Sequence, residues 1–194
     1  MLLEEFARDI CDYFETLPQV KQCRLYGSLS RKTFDKYSDI DLELDVSGID
    51  NGRFLLELPN LLSKKMQIIF YDYAPSLAPE KYVVSVATKE ENPFMLVDIS
   101  CVATPHFSTV TKQELRRRNN QYDHMTKLFC TNLKHYLRGL ACDSEIQKMY
   151  KKLFLSETFP FSKKAMLEQV YAWLKNNADE KHAAYIQSFE RYLL

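Results

Sequence analysis

The chain has 194 residues, 46% of them apolar and 27% charged, a composition that supports a packed soluble core and argues against disorder. Its 26 Lys and Arg balance 26 Asp and Glu, so no bulk charge pulls it toward nucleic acid or a membrane surface. No apolar run reaches the ~18–20 residues of a membrane span, and Glu4 and Glu5 stand where a secretory leader carries basic residues; a cytoplasmic location is expected.

Five cysteines form no CxxC and leave an odd one over, which points to reduced thiols. In chain order, residues 2–17 space Phe6, Ile10, Tyr13, Phe14 and Leu17 as one helical face, with Pro18 as the stop. Val20 to Tyr26 reads as a strand that Gly27-Ser28 ends. Residues 30–38 form a loop or a short helical turn, and Asp39 to Val46 a second strand. A turn at Gly48–Gly52 leads to a short helix over 53–63, interrupted by Pro59. Strands follow at 66–71, 82–88 and 94–102, the last two joined as a hairpin through Lys89–Pro93. Thr111 and Glu114 have capping-box spacing. Helices are expected over about 112–138, 143–155, 162–176 and 180–193, with Gly139 separating the first two. The chain thus divides into a mixed α/β half, 1–105, and an all-helical half, 106–194.

The strand Asp39-Ile-Asp-Leu-Glu-Leu-Asp45 carries the strongest chemical signal. Alternation puts Ile40, Leu42 and Leu44 on one face and four acids on the other, neighbouring acids roughly 6.5–7 Å apart. A solvated strand face would also alternate. Four like charges repel one another, however, and hard divalent cations take such oxygen ligands. Gly27-Ser28 follows the preceding strand. It reads as a plain turn, or as a backbone approach and hydroxyl for a phosphate, with Arg31, Lys32 and Lys36 in the same loop. Asp98 lies within the apolar run Phe94–Cys101, where a buried acid needs a cation or a donor.

Together these features resemble the nucleotidyltransferase superfamily with the polymerase-beta-like palm. Gly27 and Ser28 match its opening pair, Ser38-Asp39-Ile40-Asp41-Leu42 its second motif, and Asp98 its third carboxylate. The size and helical tail look like the small bacterial nucleotidyltransferases that modify aminoglycoside and lincosamide antibiotics. The resemblance implies an α+β fold: an N-terminal palm, with a mixed sheet and flanking helices, and then a C-terminal helical bundle. It implies two Mg2+ ions on Asp39, Asp41 and Asp98, which are both metal ligands and catalytic residues. It implies a nucleoside triphosphate, ATP first among them, bound at Gly27, Ser28 and Arg31. The expected reaction is transfer of AMP to a hydroxyl of a small-molecule acceptor such as an antibiotic. A protein or tRNA acceptor, or a palm without catalysis, is the alternative. Neutral charge argues against nucleic acid, and a second copy could complete an open cleft as a homodimer. Two positions depart from the pattern: Leu29 replaces an Arg common after Gly-Ser, and Lys32 replaces a Gly, while Arg31 matches a frequent second Arg. A general base is not assigned; Asp98, Glu114 and Asp123 are the candidates. Arg116–Arg118 reads as a solvated helix face, and the aromatics of 122–194 as core with some lining a cleft.

Overall fold

A computed structural model describes residues 3–74, 78–90 and 92–193. Helix α1 (Leu3–Glu15) and strand β1 (Gln22–Tyr26) are followed by a four-residue helix α2 (Gly27–Ser30), strand β2 (Ile40–Asp45) and helix α3 (Asn51–Leu62). Strands β3 (Ile68–Ala74), β4 (Lys81–Thr88) and β5 (Leu96–Val102) complete a five-stranded sheet of order β1-β2-β5-β4-β3. Only the central pair, β2 and β5, runs parallel; every other pair is antiparallel. One face of the sheet, with Ile40, Leu42, Leu44, Val97, Ile99 and Val84, packs with Phe6, Ile10 and Phe14 of α1 and Phe54, Leu55 and Leu58 of α3. The opposite face of β2 is left to its acids, as the alternation requires.

The chain divides into two compact units: residues 1–90 with 95–119, and residues 91–94 with 120–194. The second is helical: α5 (Gln121–Leu137), α6 (Asp143–Phe154), α7 (Lys163–Asn177), α8 (Glu180–Gln187) and α9 (Glu190–Leu193). The end of the β4–β5 turn belongs to it because the Pro93 carbonyl accepts from the Tyr185 hydroxyl at 2.7 Å, and Phe94 packs edge-on against Phe189 and Tyr192. Glu91 of the expected hairpin, like Leu2 of the expected first helix, lies outside the described residues.

Local differences from the sequence reading have physical causes. Pro59 does not interrupt α3. It has no N–H to offer the Leu55 carbonyl, and the Tyr73 hydroxyl donates to that carbonyl at 3.4 Å instead. Gly52, expected in a turn, lies inside α3, where a Cβ would sit 2.2 Å from Ser108 Oγ. The expected helix 112–138 is two helices, α4 (Lys112–Arg116) and α5. Asn119 breaks it: its side chain accepts from Tyr73 N at 2.8 Å and donates to Tyr73 O at 2.9 Å, pairing with β3 as a strand would. Asn120 then caps α5 through Tyr122 N. The capping box at Thr111 and Glu114 is present. Gly139 ends α5 at φ +70°. The expectation of reduced thiols is corrected for one pair: Cys11 of α1 and Cys23 of β1 form a disulfide, brought within 5.5 Å at the Cα atoms by the packing of α1 beside β1. Cys101, Cys130 and Cys142 are buried and form no disulfide.

Candidate active site

The acidic face of β2 is divided by its partners. Glu43 pairs with Lys81 at 3.1 Å. The Ser47 hydroxyl is the first cause that holds the Asp45 carboxyl below its ordinary value, followed by Ser47 N, which donates to Oδ1 at 2.8 Å. These two acids are therefore occupied in holding the fold. Asp41 has different neighbours: in register it stands opposite Tyr26 on β1 and Asp98 on β5. Asp98 in turn stands opposite Ser85 on β4, and Ser85 opposite Asp72 on β3. A polar row, Tyr26-Asp41-Asp98-Ser85-Asp72, crosses all five strands on one face.

Two parallel strands in register bring Asp41 and Asp98 side by side, at the ~4.8 Å spacing of adjacent strands. The Ser85 hydroxyl, 1% exposed, donates to Asp98 Oδ1. Asp72, also 1% exposed, ends the row. Tyr26 keeps its phenol proton above the usual pKa, chiefly through burial and further through the charges of Asp41 and Asp98; Ser100 and Lys81 pull the other way. Tyr26 stands opposite Asp41 in the ladder, one strand from it and two from Asp98. Sequence reasoning missed Tyr26, Ser85 and Asp72. The available signals were Tyr26's place before Gly27 and the strand parity of two polar residues, Asp72 and Ser85, within apolar strands.

Gly27 has φ +70°, and a Cβ built on it would lie 1.9 Å from Asp41 Oδ2. The glycine thus makes room for a carboxylate, a requirement beyond turn geometry. Ser28 is half-buried in α2, and its carbonyl accepts from Thr33 N at 3.0 Å, closing the loop behind it. Leu29 is 5% exposed within the core, so the position where relatives carry Arg here anchors α2 by apolar packing. Arg31, Lys32 and Lys36 are exposed, with Lys36 over the ring of Tyr37. Asp39, half-buried, immediately precedes β2, and the loop leading to it is fixed by Ser38, whose hydroxyl donates to Asp35 Oδ1 at 3.0 Å.

The donor chemistry suits a hard divalent cation: carboxylate oxygens from adjacent strands, one of them lodged beside a glycine. Among the described residues, however, no three His, Cys, Asp or Glu side chains gather closely enough to hold a metal ion. The structure juxtaposes Asp41 and Asp98 and leaves Asp39 at the strand's start. Of the general-base candidates, Glu114 is bound to the Thr111 backbone and hydroxyl, which lower its carboxyl, and Asp123 accepts from His182. Arg116–Arg118 is exposed, as expected of a solvated face.

Residues 3–91 match the family described as nucleotidyltransferase domain. This stretch resembles a nucleotidyltransferase domain. The match covers the Gly27-Ser28 and Asp39–Asp41 motifs and stops short of Asp98, which the fold supplies from the neighbouring strand. No curated protein matches the chain. Two solved structures resemble it distantly. The polymerase core of TRAMP, an RNA surveillance complex, has 14% identity and a TM-score of 0.40 over 97% of this chain and 56% of that one. The GLD-2/RNP-8 complex has 14% identity and a TM-score of 0.40 over 91% of this chain and 68% of that one. The chain thus spans about half the length of the polymerase core. Among the described residues no helix is long and apolar enough to cross a membrane.

Proposed function

We propose that the chain transfers a nucleoside monophosphate, AMP from ATP, to a hydroxyl of a small-molecule acceptor. The observation that carries this reading is the in-register pair Asp41 and Asp98, with Asp41 beside Gly27 and both of these within the stretch that matches a nucleotidyltransferase domain. Asp39 and Asp41 would hold two Mg2+ ions and Asp98 the one nearer the acceptor. Such ions supply charge neutralisation at the α-phosphate and activation of the attacking hydroxyl. The chain's own contributions are positional. Gly27 and Ser28, with Arg31 at the edge of the loop, would take the β- and γ-phosphates. Ser85 would fix one oxygen of Asp98 so that the other faces the reacting centre. We assign nucleotide handling to the palm, residues 1–105, and acceptor choice to the helical part, 106–194.

Balanced charge supports a small acceptor over RNA, because an RNA-tracking surface draws most of its affinity from basic residues. The test is pyrophosphate release from ATP and Mg2+ with separate panels of aminoglycosides, lincosamides, purified protein and RNA. Release that depends on a small hydroxyl compound is expected. Release that depends only on RNA or on protein would overturn the acceptor assignment and keep the chemistry. No release with any panel would overturn both.

A further inference from the structure

The second unit holds a cavity of about 370 Å³ whose walls include Tyr122, Asp123, Trp173, Asn177, Asp179 and His182. Every wall residue belongs to that unit, and none belongs to the palm row. The sequence builds it from two helix starts. Asp123 lies in the first turn of α5, and Asp179 is the N-cap of α8, accepting from His182 N at 3.0 Å. Asn120 caps α5 in the same way. Leading N–H groups at both starts are thus taken by their own caps, which lessens the usual attraction for an anion.

His182 is 6% exposed and lies between the two acids: Nδ1 is 2.6 Å from Asp179 Oδ1 and Nε2 is 2.9 Å from Asp123 Oδ1. A carboxylate oxygen at each nitrogen means that the ring donates twice, as an imidazolium. Two carboxylates against one imidazolium leave one negative charge in excess. Asp179 also accepts from the Lys181 backbone N–H; among the described residues, the second oxygen of Asp123 accepts no hydrogen bond. Tyr122 is fixed by its hydroxyl, which donates to Leu174 O at 2.8 Å, and its ring lies 5.8 Å from that of Trp173 at 32°. The wall therefore offers aromatic faces beside unspent carboxylate oxygen.

We propose that this cavity binds a small organic cation, an ammonium or guanidinium compound. Its charge is held by Asp123 and Asp179, and its body lies against Trp173 and Tyr122. Aromatic faces attract such cations, Trp most strongly. The volume is that of a small-molecule pocket. The excess negative charge selects against anions. The cavity uses no residue of the palm row, so cation binding can be read in the absence of nucleotide.

Trp173 is the chain's only tryptophan, so intrinsic fluorescence reads the cavity directly. The full chain is titrated with agmatine and spermidine, with glycerol as the neutral control and glutarate as the anionic one. A saturable change with the cations alone is expected, weakening as salt is raised. Asp179→Asn keeps a good helix cap and leaves the Asp123–His182 pair, so the variant should fold, which a thermal melt checks. Its affinity for the cations should fall about tenfold, the scale of losing one charge-assisted contact. No saturable change at millimolar cation would overturn the proposal. So would equal responses to glycerol or glutarate, or an unchanged affinity in folded Asp179→Asn.

Discussion

Gly27→Ala is the sharpest single perturbation of the palm. The new Cβ would lie 1.9 Å from Asp41 Oδ2 and 2.7 Å from its Cγ, whereas ordinary contact begins at 3.4 Å. The carboxylate must therefore retreat by about 1.5 Å, the difference between 3.4 and 1.9 Å. A misplacement of about 1 Å at a reacting centre costs roughly 100-fold in rate, so turnover should fall at least that far. The φ of +70° adds about 1–2 kcal/mol of backbone strain for any residue with a Cβ. For a chain of this size that lowers the melting temperature by roughly 2–8 °C. The assay is nucleotide transfer at saturating ATP and acceptor, paired with a thermal melt. In an Asp41→Ala background the two closest contacts are gone and only the 3.1 Å approach to the Cβ at position 41 is left, so adding Gly27→Ala should cost the strain and little more. Turnover within about threefold of the parent would refute the idea that the glycine exists to seat Asp41.

Two further outcomes follow from the geometry. Ser85→Ala removes the donor that orients Asp98, so Mn2+ binding followed by electron paramagnetic resonance should weaken about tenfold, with the melt little changed; an unchanged metal affinity would reduce Ser85 to a packing residue. His182→Gln should destabilise the helical unit by about 2 kcal/mol at neutral pH, since it leaves two carboxylates without their shared cation. The pKa of His182 is raised, first by its hydrogen bond to Asp123, so its contribution is fully present below the ordinary value of about 6.5 and is lost as pH rises through the raised one. Denaturant melts of the parent should weaken on that alkaline side, and the variant should lack that slope.

What the sequence could reveal depended on which signals were local. The Asp39–Asp45 alternation reports its own two faces, because strand parity needs no partner, and Ile40, Leu42 and Leu44 are fully buried as that parity requires. The choice among the four acids was not legible. Lys81 claims Glu43 from a strand far along the chain, and Asp41 and Asp98 become neighbours only through the parallel register of β2 and β5. Ser85 and Tyr26 join the site through the same non-local pairing. The break at Asn119 depends on the edge of β3, and the tolerance of Pro59 on the Tyr73 hydroxyl; neither partner is near in sequence. Capping at Thr111 and termination at Gly139 are short-range, and both were readable.

The central claim is that a juxtaposed carboxylate pair drives metal-dependent nucleotide transfer. Its most direct test follows transfer of label from α-phosphate-labelled ATP in the parent, Asp41→Asn and Asp98→Asn, each with and without Mg2+. The account predicts label on a small hydroxyl compound in the parent with Mg2+. It predicts a loss of at least about 1,000-fold in both variants, the scale of removing an electrostatic anchor of the transition state, with melts unaltered. Transfer that persists in either folded variant, or that needs no divalent cation, would contradict it.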